Sequence, residues 1–127
     1  MAKILVVDDD DSISSLICQY LNSQDFEVDT AHNSVQARHC LENSQYDAIL
    51  SDFQMPGESG LDLLYHVSSR FPGLPFILMT GSHSTGLKQQ SMQMGCSGYL
   101  EKPLGLPYLL LTIRTVLSYR QMPDKTA

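Results

Sequence analysis

Four positions or clusters in this sequence hold side chains that could act together: the acids Asp8–Asp11, a separate acid at Asp52, a hydroxyl at Thr80 and an ammonium at Lys102. Carboxylates brought close together repel, and each tends to stay protonated unless a cation joins them. A hard divalent ion with oxygen ligands is the natural partner. Mg2+ keeps several waters and takes one or two carboxylates together with phosphate oxygens. With Asp8, Asp9 and Asp52 around one divalent ion and Lys102 beside it, the charges cancel. Asp52 is then placed to attack phosphorus, since aspartyl phosphate is a known covalent intermediate. Lys102, Thr80 and nearby backbone N–H groups would stabilise the charge spread over a transferred phosphoryl group.

That chemistry requires elements that bring four distant stretches to one place. Lys3–Asp8 is a continuous apolar run ending in acid, the pattern of a strand buried on both faces. Similar runs at 46–51, ending at Asp52, and at 75–80 predict two more buried strands, and 97–100 a short one. The stretch 26–31 alternates as a half-exposed edge strand does. Between them, helical spacing appears in Ile13, Leu16, Ile17, Tyr20 and Leu21, in Val35, Ala37, Arg38 and Leu41, and in Leu61, Leu64, Tyr65 and Val67. Ser12 and Ser34 are the expected N-caps of the first two helices. Helices are also expected over 85–94, ending at Gly95, and over 106–120, where Pro107 is tolerable in the first turn. Residues 54–60 read as a loop. Five strands alternating with five helices predict an α/β fold, a parallel sheet with helices on both faces. Such sheets bind ligands at the carboxyl ends of their strands. Asp8 and Asp9, Asp52, Thr80 and Lys102 all fall at or just beyond strand ends.

Composition excludes several alternatives. The chain has 127 residues and a net charge of −6, and without Asp8–Asp11 that charge would be −2. An acidic chain lacking clustered Lys and Arg is not expected to hold nucleic acid or an anionic membrane. The three cysteines Cys18, Cys40 and Cys96 have no metal spacing and fit a reduced, cytoplasmic setting, as small core residues. No signal peptide or membrane span is expected. The expected organisation is one domain over 1–120 and a polar tail or linker stub over 121–127.

The segments ILVVDDD at 4–10, DAILSDFQMPGESG at 47–60, ILMTG at 77–81 and GYLEKP at 98–103, in this order, resemble the receiver domain of two-component response regulators. The stand-alone chemotaxis response regulator is its minimal form. The resemblance implies a flavodoxin-like doubly wound fold with strand order 2-1-3-4-5. It implies phosphorylation of Asp52 by a histidine kinase or histidine phosphotransfer protein, with Mg2+ held by Asp8, Asp9, Asp52 and the backbone carbonyl of Gln54. Lys102 would contact the phosphoryl group, followed by Pro103, often through a cis bond. Thr80 and Tyr99 would form the switch that reshapes a partner-binding face, with output through a downstream protein target or an output domain outside this chain. The domain would catalyse only its own phosphorylation and dephosphorylation.

The sequence also departs from the family pattern. Ser59 stands where many relatives carry Asp, and Gln54 and Ser82 occupy positions that influence phosphoryl lifetime. The last helix, with Leu109–Leu111, lacks the Arg- and Lys-rich face through which DNA-binding regulators dimerise.

Plainer readings stand beside these. Asp10 and Asp11 read as a solvated face, with Asp11 aiding the first helix. His32, His39, His66 and His83 read as surface or satisfied residues, Met92 and Met94 as packing residues, and Tyr99 also fits a core aromatic. Two other functions remain open at this stage. One is a Mg-dependent phosphatase resembling the haloacid dehalogenase superfamily, with Asp8 as nucleophile and Asp10 as acid/base. The other is a phosphorylation-independent interaction module.

Overall fold

The computed structural model describes residues 1–81 and 85–121. Ser82, His83 and residues 122–127 of the expected tail fall outside the described residues, whereas Gln121 belongs to the last helix. The chain runs β1 (Lys3–Val7), α1 (Asp11–Ser23), β2 (Glu27–Ala31), α2 (Ser34–Asn43), β3 (Ala48–Asp52), α3 (Gly60–Arg70), β4 (Phe76–Thr80), α4 (Thr85–Gln93), β5 (Gly98–Glu101) and α5 (Leu106–Gln121). The five strands form one parallel sheet in the order β2-β1-β3-β4-β5. This is the doubly wound, flavodoxin-like arrangement expected from the sequence.

Strand periodicity sorts the core into two layers. Ile4 and Val6 of β1 join Leu50, Ile77 and Met79 beneath α1 and α5, which supply Ile17, Leu21, Leu109 and Ile113. Leu5 and Val7 point the other way, joining Ile49 and Leu78 beneath α2, α3 and α4, which supply Ala37, Leu41, Leu63, Leu64 and Leu87. Every residue of β3 and β4 is buried, as a strand covered on both faces requires. β2 is an edge strand, and its pattern of exposure follows from that.

Several expectations need correction. Asp10, not Ser12, caps α1: its carboxylate accepts from the N–H groups of Ser12 (2.9 Å) and Ile13 (3.3 Å). Asn33, not Ser34, caps α2, accepting from Gln36 N–H at 2.9 Å. Ser34 turns inward and is buried. In both cases closely spaced residues with similar capping ability compete, so local preference alone does not choose between them. Leu16, Val35, Tyr65 and Leu111 lie on helices but face solvent. Cys96 is a core cysteine and half-buried Cys40 packs against the same layer, whereas Cys18 is half-buried on α1. Met92 is exposed, whereas Met94 packs against the core.

Candidate functional site

From β1 the chain winds outward to β2, then crosses back to β3 on the other side. The crevice at this reversal lies between the carboxyl ends of β1 and β3. Asp8 and Asp9 leave the end of β1 there, and Asp52 ends β3. Their carboxylates each present an oxygen within 4.8 Å of the others. Asp8 is fully buried and Asp52 is 5% exposed, whereas Asp9 lies at the surface.

Asp8 is held by its own turn. Its Oδ1 accepts from Asp10 N–H at 2.9 Å, and its backbone N–H donates to Ala31 O at 3.0 Å. Its Oδ2 is buried, has no hydrogen-bond partner among the described residues, and lies 3.6 Å from Lys102 Nζ. Burial pushes the Asp8 carboxyl above the usual carboxylate range, against the Asp10 N–H and Lys102, while Asp52 and Asp9 add to the rise. A buried carboxylate oxygen with no hydrogen bond, beside two more carboxylates, fits a hard, oxygen-seeking cation.

Lys102 arrives from just beyond β5. Its Nζ donates to Asp52 Oδ2 at 3.1 Å, and its N–H donates to Thr80 O at 2.8 Å, fixing the start of the loop against β4. Burial alone would lower its pKa, but the hydrogen bond and charge of Asp52, with Asp8 behind, outweigh it and hold the ammonium above its ordinary value. The Lys102–Pro103 bond is cis. Thr80 is fully buried at the carboxyl end of β4, paired in register with Glu101. Gln54 donates its N–H to Asp52 Oδ1 at 3.3 Å. Tyr99 sits opposite Leu78 in β5, its ring against the second core layer. Its hydroxyl is buried with no partner among the described residues, and burial, then Glu101 and Cys96, push its pKa up.

The structure thus brings Asp8, Asp9, Asp52 and Lys102 together, and sets Thr80 and Gln54 at the same rim. Sequence reasoning missed Gly60. A Cβ there would lie 2.5 Å from Asp52 O and 2.9 Å from Phe53 Cα, so the first turn of α3 can approach the end of β3 only without a side chain. Ser59 caps α3 in a reciprocal capping box with Asp62, a role that Asp would fill equally well. His66 was expected to be exposed or satisfied. Instead its Nε2 is buried without a hydrogen-bond partner among the described residues, the ring meeting Phe71 edge-on, and burial, with Arg38 and Arg70 nearby, lowers its pKa. His32 pairs with Asp11 at 2.9 Å.

A doubly wound domain with a buried acidic pocket and a lysine at its switch point defines a narrow class. The response regulator receiver domain family matches residues 4–114, and the chain belongs to it, as a component of two-component signalling. It is 30% identical over 115 residues to the probable transcriptional regulatory protein SilR of Salmonella typhimurium, covering 91% of this chain and 50% of that protein. It is 31% identical over 123 residues to the response regulator MprA of Mycobacterium sp. (strain KMS), covering 97% and 53%. The chain spans about half the length of these curated relatives. Among solved structures, a CheY-like receiver domain from Methanospirillum hungatei JF-1 superposes with a TM-score of 0.91 at 29% identity, covering 95% of this chain and 97% of that one. The chemotaxis response regulator CheY4 of Vibrio cholerae gives 0.85 at 31% identity, covering 91% and 98%. None of the described helices is long and apolar enough to cross a membrane.

Proposed function

We propose that this receiver takes a phosphoryl group onto Asp52 from a phosphohistidine of a histidine kinase or histidine phosphotransfer protein. The observation that carries the reading is the buried Asp8 Oδ2, which has no hydrogen-bond partner among the described residues and lies beside the Asp52–Lys102 pair. Asp8, Asp9, Asp52 and the Gln54 carbonyl would hold Mg2+, which when bound neutralises charge on the transferring group. An Asp52 carboxylate oxygen forms the new P–O bond as the donor's P–N bond breaks, and the electron pair leaves with the imidazole. Lys102 already sits on Asp52, so it is positioned to take a phosphoryl oxygen as the negative charge moves outward. The Thr80 hydroxyl, at the neighbouring strand end, supplies a further donor.

In this reading the domain, residues 1–120, catalyses only its own phosphorylation and dephosphorylation. It works in the cytoplasm, between a kinase and a protein target or attached output domain, without itself binding nucleic acid or membrane. Thr80 and Tyr99 form its switch, since the Tyr99 hydroxyl is buried without a partner and gains by turning elsewhere. The phosphatase alternative needs Asp10 as acid/base, but that carboxylate is engaged as the α1 cap.

The test is beryllofluoride with Mg2+, followed by NMR. Amide shifts at Thr80 and Tyr99 that require both components, and vanish in Asp52→Asn, are expected. Equal partner binding by wild type and Asp52→Asn, with no such shifts, would favour the phosphorylation-independent module.

A further inference from the structure

The loop between β3 and α3 carries Gln54, yet little backbone holds it in place. At its ends Phe53 N–H donates to Met79 O (2.8 Å) and Gly60 N–H to Phe53 O (2.8 Å). Among the described residues, no hydrogen bond involves Met55, Pro56 or Gly57. Gly57 also has φ +80. Met55 packs against the core layer beneath α2, α3 and α4, and the loop's polar reach to another element comes from Glu58. The Glu58 carboxylate accepts from Ser34 Oγ at 3.2 Å and pairs with the Arg38 guanidinium, both on α2. Ser34 is buried and Arg38 Nε is buried without a partner, so both α2 groups are directed into the seam rather than outward. A cleft lined by Asp9, Asn33, Ser34, Gly57 and Glu58 runs from this tether to the acidic pocket.

We propose that Glu58 is a positioning residue for the Asp52 site: anchored by Ser34 and Arg38, it fixes the loop that carries Gln54 and so sets how tightly the acidic pocket holds Mg2+. This rests on the Mg2+ reading of the pocket. Half-exposed ion pairs contribute little to global stability. The tether acts instead by removing conformational freedom that the loop would otherwise lose on binding metal. Groups that orient metal ligands from behind typically change affinity by about 10- to 100-fold.

A through-space charge effect gives a different pattern, which makes the proposal decidable. If Glu58 acts only as a nearby negative charge, Glu58→Ala weakens Mg2+ binding and Arg38→Ala strengthens it. If it acts as a tether, both substitutions weaken binding, by about tenfold, and the double variant is little worse than either single one. Mg2+ affinity is measured by calorimetry on the full chain, with urea unfolding of each variant alongside. Amide hydrogen exchange on the metal-free proteins is the second readout: Ser59, whose N–H donates to Asp62 Oδ2, and Gly60, whose N–H donates to Phe53 O, should exchange faster in both single variants, at an unchanged urea midpoint. Tighter or unchanged Mg2+ binding in Arg38→Ala, or unaltered exchange in these amides, overturns the tether. If the wild type binds no Mg2+, the pocket reading fails, and the metal-free exchange still decides whether Glu58 holds the loop.

Discussion

At the scale of single residues, Asp8 carries an unfavourable energy that a cation would relieve. Burial raises its pKa, with Asp52 and Asp9 contributing. A carboxyl that binds its proton more tightly folded than unfolded favours folding while protonated, and that contribution is lost as pH rises through its folded pKa. Asp8→Asn is therefore expected to stabilise the metal-free protein at neutral pH by about 0.5–2 kcal/mol, an exchange of function for stability seen at many sites. The gain should shrink as pH falls towards the carboxylate range, and Mg2+ should stabilise the wild type but not the variant. Urea unfolding across pH, with and without Mg2+, checks all three. Gly60 gives the opposite case. Gly60→Ala places a methyl group against the Asp52 carbonyl, and an overpacked contact of this kind costs about 1–3 kcal/mol. Because the clash falls on the backbone of Asp52, the variant should also lose phosphoryl-analogue binding.

At the scale of elements, the helices are held very unequally. α5 buries Leu109, Leu110, Ile113, Val116 and Leu117, whereas the described buried residues of α4 are Leu87 and Ser91. The Ser91 hydroxyl donates to Lys88 O of its own helix at 2.9 Å. α4 ends where Gly95 adopts φ +101. Native-state hydrogen exchange should find α4 amides opening at a lower free energy than those of α5 or α3. Equal protection would show that α4 is held by more than these contacts. The strands and the order of elements were legible in the sequence because runs such as Ile4–Val7 and Phe76–Met79 are apolar throughout, a pattern tied to burial on both faces. The strand-end positions of Asp8, Asp52, Thr80 and Lys102 followed directly. The caps were not legible, since Asp10, Asp11 and Ser12 all cap well and local preference cannot choose among them. The exposure of Val35 and Tyr65 was hidden because helical spacing marks a face without saying how wide it is. The Arg38–Glu58 tether and the close approach at Gly60 join residues far apart in the chain, and no local pattern announces them.

At the scale of the whole molecule, one sheet serves both core layers, so neither layer can open alone. Leu50→Ala beneath α1 and α5, and Leu78→Ala beneath α2, α3 and α4, should each cost about 2–5 kcal/mol. Both should shift a single urea transition rather than split it into two. The net charge of −6 gains a location from the fold. Asp8, Asp9 and Asp52 sit in one pocket against Lys102, and Asp10 and Asp11 start α1. The acidity of the chain is therefore concentrated where a cation and a phosphoryl group are proposed to meet. The most direct test is to treat the protein with acetyl phosphate and Mg2+, quench, and locate the acyl phosphate by mass spectrometry of the peptides. A phosphoryl group on Asp52 that requires Mg2+ and is absent from Asp52→Asn is the predicted result. Labelling of Asp8 instead, or no Mg2+-dependent labelling at Asp52, would contradict the account.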